Sequence, residues 1–140
     1  MNRREVIRKF LTGGSVLVLV PSVIESCSSN NAVDNGITTT SSTIIIDLTQ
    51  PNFAALNTAG GSAIIENILV ININNSFIAL SAVCTHQGCT VGYNSVANDI
   101  ECPCHGSVYS IAGNVVVGPA ISPLHSFAIS QSGTDLTITI

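Results

Sequence analysis

Four cysteines and two histidines fall in two short boxes, Cys84-Thr85-His86-Gln87-Gly88-Cys89 and Cys102-Pro103-Cys104-His105-Gly106-Ser107. Each box offers a thiol and an imidazole close together: Cys84 with His86, and Cys102 with His105. Two thiolates and two imidazoles make a complete four-donor set for a soft or borderline metal. Each box also holds one further cysteine, Cys89 in the first and Cys104 in the second. A structural zinc module would use the same set of two cysteines and two histidines. It would leave the two additional cysteines without a role.

Both boxes lie between runs of strand-forming residues, so both are loops. Thr43 to Leu48 is a β-branched run, as is Ile64 to Ile73. Asn74-Asn75 makes a turn before a third strand, Ser76 to Ser81. Ile111 to Val117, Ser126 to Ser130 and Leu136 to Ile140 complete the set, with turns at Gly113-Asn114 and Ser132-Gly133. Phe53 to Leu56 is the one place that reads as a short helical turn. Six or seven short strands predict an all-β fold, a small antiparallel sandwich or barrel. A domain of this size buries a limited core, so a metal centre or a disulfide helps to hold it together.

Charged residues are only 9% of the 140, while 46% are hydrophobic. The low charge departs from the roughly 25% of ordinary soluble domains, and the apolar content excludes disorder over most of the chain. All four basic residues, Arg3, Arg4, Arg8 and Lys9, precede Phe10. Nucleic-acid binding needs cations to displace phosphate counterions, so it is excluded; a polybasic membrane patch on the folded part is excluded likewise. Six acids (Asp34, Asp47, Glu66, Asp99, Glu101, Asp135) face no Lys or Arg over the rest of the chain. That balance suits a partner with a positive docking face, such as a c-type cytochrome.

The N-terminus reads as an address. A basic stretch at 1–9 precedes an apolar one, Phe10 to Ile24, that is too short and too rich in Gly and Pro for a permanent span. Arg3-Arg4 with Val6-Ile7 resembles a twin-arginine export motif, with Val6 where that motif usually has Phe. Ile24-Glu25-Ser26-Cys27 resembles a lipobox, with Glu25 atypical, and makes Cys27 a lipidation candidate. Residues 1–26 are therefore expected to be a signal or anchor segment and 27–42, small and polar, a flexible tether. The folded domain is expected over 43–140.

The two boxes closely resemble those of the Rieske iron–sulfur family, C-x-H followed by C-x-x-H, with 15 residues between His86 and Cys102. The disulfide-containing, high-potential variant reads C-T-H-x-G-C and C-P-C-H-G-S, and every fixed position is present. The resemblance implies a small Rieske-type β domain with a cluster-binding loop subdomain and one [2Fe–2S] cluster. It implies Cys84 and Cys102 on the inner iron, His86 and His105 on the outer iron, and a Cys89–Cys104 disulfide. Two imidazoles in place of two thiolates raise the potential to about −150 to +300 mV. Ser107, on a bridging sulfide, and Tyr109, on a ligating thiolate, are the implied donors that place it in the upper part of that range. Gly88 and Gly106 are expected to allow tight turns and to turn backbone N–H groups toward the sulfides. Gly118-Pro119-Ala120-Ile121-Ser122-Pro123-Leu124 resembles the family's cluster-covering proline loop, with Ile121 and Ser122 inserted. His125 is left as a structural or surface residue.

The implied function is single-electron transfer by a carrier that is not a complete enzyme alone. The first expectation is the iron–sulfur subunit of a quinol-oxidising complex of the cytochrome bc type, in which His86 or His105 meets quinol and its proton. The alternative is a lipid-anchored electron shuttle, or the small subunit of another periplasmic oxidase of the arsenite-oxidase kind. The expected place is the periplasmic side of a bacterial cytoplasmic membrane, held by the N-terminal lipid or anchor. The disulfide variant argues against a ferredoxin serving a cytoplasmic ring-hydroxylating oxygenase.

Overall fold

The structure, a computed structural model, describes residues 32–140. The export motif, the apolar stretch and Cys27 lie outside the described residues. Among the described residues no helix is long and apolar enough to cross a membrane.

Among the described residues, twelve strands form two antiparallel sheets. The larger contains β1 (Ala32–Asp34), β2 (Ile37–Thr39), β3 (Thr43–Asp47), β4 (Ser62–Ile65), β5 (Ile68–Ile73), β6 (Ser76–Ser81), β11 (Ser126–Ser132) and β12 (Asp135–Thr139). Its order is β1-β2-β3-β12-β11-β6-β5-β4. The smaller contains β7 (Gly92–Asn94), β8 (Asp99–Glu101), β9 (Val108–Ser110) and β10 (Val115–Val117), in the order β10-β9-β8-β7. β11 joins the halves of the larger sheet. Its first two residues pair with β6, and Ala128 to Ser132 pair with β12.

β5 explains how the fold carries a site. Ile68, Leu69, Val70 and Ile71 are all buried. Ile68 and Val70 belong to one core, with Ile44 and Ile46 of β3 and Leu136 and Ile138 of β12. Leu69 and Ile71 belong to a second, with Ile100, Tyr109, Cys84 and Cys102. A strand buried on both faces reads as an unbroken apolar run. It is here a wall with a scaffold core on one side and the two boxes packed on the other. A 3-10 helix, Pro51–Asn57, closes the scaffold core with Phe53 and Leu56. Asn72, buried in β5, donates to the Leu56 carbonyl at 2.8 Å and accepts the Asn75 N–H at 2.7 Å.

Several expectations need correcting. The tether expected over 27–42 is strand from Ala32 to Thr39, apart from a two-residue turn. Asn35-Gly36 takes positive φ at both positions, the turn that best matches hairpin twist. β-branched Ile37-Thr38-Thr39 then pairs with β3, and Ile37 packs on the scaffold core. Small polar composition conceals this hairpin, and the sheet starts before Thr43. The run Ile64 to Ile73 is two strands, because Glu66-Asn67 (φ 47° and 65°) turns the chain so that Ile65 meets Ile68. Asn74-Asn75 turns in the same way, as expected. The run Ile111 to Val117 is likewise interrupted. Ser110 and Gly113 close a turn through Gly113 N–H to Ser110 C=O at 2.8 Å, so the strands are Val108–Ser110 and Val115–Val117.

Candidate metal centre

The two boxes fold into equivalent loops, the first leading toward the edge strand β7 and the second joining the inner strands β8 and β9 of the smaller sheet. In each, the first cysteine donates its N–H to the carbonyl five residues on: Cys84 to Cys89 and Cys102 to Ser107, both at 2.8 Å. In each, the glycine four residues on donates back, Gly88 to Cys84 at 2.9 Å and Gly106 to Cys102 at 3.0 Å. Both glycines have positive φ, 78° and 76°, with open space where a Cβ would sit. Backbone conformation, not crowding, therefore calls for glycine at both positions. Their own N–H groups close the loops, and the tight turns expected at both positions are present. The N–H groups of His86 and Gln87, on the same turn, help to hold the Cys84 thiol down.

Cys89 and Cys104 form a disulfide that ties one loop to the other. Cys84 and Cys102 are free thiols and buried. Both belong to the same buried core. His86 is half-buried and His105 exposed, with ring centroids 4.7 Å apart and planes at 85°. The donors thus come as two like pairs, thiol beside thiol within the core and imidazole beside imidazole at the surface. A centre with two cysteines on one iron and two histidines on the other requires that layout. The Nδ1 atom of His86 is buried without a hydrogen-bond partner. Such an atom is costly unless something satisfies it, and coordination would.

Cys89, Cys102 and Cys104 are the sulfurs that lie closest as a trio, within 4.8 Å of one another. The disulfide consumes two of them, so they are not a ligand set.

Tyr109 and Ser107 are both wholly buried. The Tyr109 hydroxyl lies 3.2 Å from Cys84 Sγ and accepts the Thr85 N–H at 3.2 Å. Burial by itself pushes the Cys84 thiol up. The Tyr109 hydroxyl, the His86 and Gln87 N–H groups and the Cys102 thiol outweigh that and hold it below the ordinary thiol range. Burial, with Cys84 alongside, raises the phenol of Tyr109, which therefore keeps its proton and remains a donor. Ser107 Oγ accepts the Ala120 N–H at 3.0 Å, leaving the hydroxyl hydrogen free to donate elsewhere.

The segment Gly118 to Leu124 covers the loops, with a cis bond at Gly118-Pro119. Ala120 and Leu124 are buried in the site core, while Ile121 is 93% exposed. Thr85 ties this segment down by donating its hydroxyl to the Ser122 carbonyl at 2.6 Å. That hydroxyl also lies 3.0 Å from the Tyr109 oxygen. The sequence offers only one sign of Thr85's role, a hydroxyl between two donor residues. His125 is exposed, stacked edge-on against Phe127.

Comparison with known proteins agrees with this geometry. The Rieske [2Fe–2S] domain family matches residues 49–128. The cytochrome b6-f complex iron–sulfur subunit of Chlorobaculum tepidum is 35% identical over 75 residues, 54% of this chain and 41% of the relative. That of Prochlorococcus marinus subsp. pastoris is 36% identical over 96 residues, 63% of this chain and 52% of the relative. The chain thus spans about half the length of these curated relatives. Among solved structures, the plasma membrane Rieske protein of Synechocystis PCC 6803 superposes with a TM-score of 0.53 at 28% identity, covering 62% of this chain and 93% of that one. With this match, the paired thiols and imidazoles and the inter-loop disulfide, the chain belongs to the Rieske [2Fe–2S] family and carries a single [2Fe–2S] cluster.

Proposed function

We propose that the chain is the electron-carrying iron–sulfur subunit of a quinol-oxidising membrane complex, with Cys84 and Cys102 on the inner iron and His86 and His105 on the outer. The observation that carries this reading is the polarity of the donor set, with thiols buried and imidazoles at the surface. When bound, the cluster supplies a one-electron couple in the range of about −150 to +300 mV. The protein's own residues do the rest. Tyr109 and the N–H groups of His86 and Gln87 stabilise negative charge on the Cys84 sulfur. The segment Ala120 to Leu124, held by Ser107 and Thr85, keeps water from the buried sulfurs. With Nδ1 of His86 turned inward, Nε2 is the atom left to accept a hydrogen bond, and then a proton, from a quinol hydroxyl.

Relatives described as cytochrome b6-f subunits support a quinol-oxidising partner and a cytochrome acceptor. Residues 1–26 would direct export on the twin-arginine route, and Cys27 would hold the protein by lipid at the periplasmic face of the membrane. The likeness to a plasma membrane Rieske protein, covering nearly all of that chain, favours a second reading, a lipid-anchored shuttle without a fixed cytochrome b partner.

The reading is tested by purifying the native protein from membranes with a mild detergent. A rhombic paramagnetic signal on reduction, with a co-purifying b-type cytochrome and quinol-dependent reduction, is the expected result. The signal without any cytochrome partner establishes the shuttle. Its absence in anaerobic, reconstituted protein removes both. Mass spectrometry of the N-terminal peptide checks lipid at Cys27.

A further inference from the structure

The disulfide is held against a free thiol. The Cys102 sulfur lies within 4.8 Å of both Cys89 and Cys104 sulfurs. Cys102 is 1% exposed, whereas Cys104, the other cysteine of its box, is at the surface. Cys84, the other free thiol among the described residues, is not part of that trio. A thiolate beside a disulfide exchanges with it through direct attack on one sulfur, and no oxidant is consumed.

We propose that in cluster-free protein Cys102 attacks its neighbouring disulfide and rearranges it. The Cys102 sulfur bonds to the Cys89 sulfur, the Cys89–Cys104 bond breaks, and Cys104 leaves with the electron pair. Cys104 takes up the proton that Cys102 gave. Among the four cysteines of the boxes, one disulfide and two thiols stand on each side, so electrons and protons balance. Attack on Cys89 is the productive direction, because its product still joins the two loops. Attack on Cys104 would close a ring spanning Pro103 alone. The exchange also moves the free sulfur from a buried position to a solvated one, which favours the leaving thiolate.

The consequence rests on the ligand reading above. Rearranged protein has Cys102 locked and Cys104 free, so it lacks the second buried thiolate and cannot take up the cluster. Iron on Cys102 therefore guards the disulfide, and loss of iron exposes it to an internal nucleophile. The chain carries its own route from an intact apo form to a folded form that cannot be reloaded.

The test is a disulfide map of full-length protein, made cluster-free by anaerobic chelation and held in neutral, thiol-free buffer. It is then denatured in N-ethylmaleimide. Trypsin is of no use beyond Lys9, so the chain is cut before Asp99, which parts Cys84 and Cys89 from Cys102 and Cys104. Label on Cys104 should rise at least about tenfold over cluster-loaded protein. Label on Cys102 should fall in step, and the intact mass before alkylation should stay the same. Cluster-free C84S should exchange as the unaltered protein does, and cluster-free C102S should leave Cys104 unlabelled. Cys104 that stays unlabelled in the cluster-free protein and in C84S overturns the proposal. So does Cys104 that is labelled equally in C102S. If C102S still binds the cluster, the ligand reading fails, and the map still decides the exchange.

Discussion

At the scale of single residues, the site divides its donors between charge and architecture. Tyr109 acts on charge, since its hydroxyl reaches the Cys84 sulfur at 3.2 Å from a fully buried position. Tyr109→Phe should lower the reduction potential by on the order of 50 mV, because about 1.4 kcal/mol of lost stabilisation corresponds to about 59 mV for one electron. Spectroscopically monitored potentiometry reads the shift, and an unchanged potential refutes the role. Ser107 has two duties. Its oxygen holds the Ala120 N–H, so Ser107→Ala should lower the potential and also destabilise the cluster-free protein. Leaving that buried N–H unpaired costs about 1–3 kcal/mol, read by thermal unfolding. A potential drop with no stability loss would show that the Ala120 N–H finds another partner.

At the scale of elements, Asn72 shows what keeps the scaffold core shut. One amide on β5 satisfies the carbonyl of Leu56 in the 3-10 helix and the N–H of Asn75 in the next turn. Asn72→Ala should cost about 2–3 kcal/mol, seen as a lower urea midpoint with an unchanged slope. The potential of the loaded protein should not move, since Asn72 faces away from the site core. Legibility follows from how much chain each element uses. The boxes are readable because four cysteines and two histidines at fixed spacing are improbable by chance. β3, β6 and β12 are readable because five or six residues suffice for alternation or a β-branched run. β7 and β8 have three residues each, too few for a period, and are missed although β7 follows the first box and β8 leads into the second. The turn at Glu66-Asn67 is hidden inside an apolar run, where residue composition outweighs the left-handed conformation of its two residues, whereas the turn at Gly113 is legible from Gly113-Asn114 and only the strand bounds around it are not. The β1–β2 hairpin is hidden for the opposite reason, since its residues are small and polar. Thr85 and the Ser107–Ala120 contact join residues 37 and 13 positions apart, and no local pattern encodes such pairings.

At the scale of the whole molecule, the described part is an acidic body with no compensating cation. Six carboxylates stand from Asp34 to Asp135 with no Lys or Arg. Electron transfer to a positively charged acceptor, such as a basic c-type cytochrome, should slow about tenfold as ionic strength rises and the Debye length contracts from about 30 Å at 0.01 M to about 8 Å at 0.15 M. Stopped-flow measurement checks this, and a rate that climbs with salt contradicts steering by the acidic surface. The matched closure of the two loops has a consequence of its own. Main-chain bonds pin each loop at both ends, and a sulfur cross-link pins one to the other. The donor frame is thus set before any electron arrives and has little freedom to relax afterwards. Nuclear rearrangement at each hop is accordingly small, and the distance to the next centre, more than the compliance of this protein, governs how fast it passes its charge on.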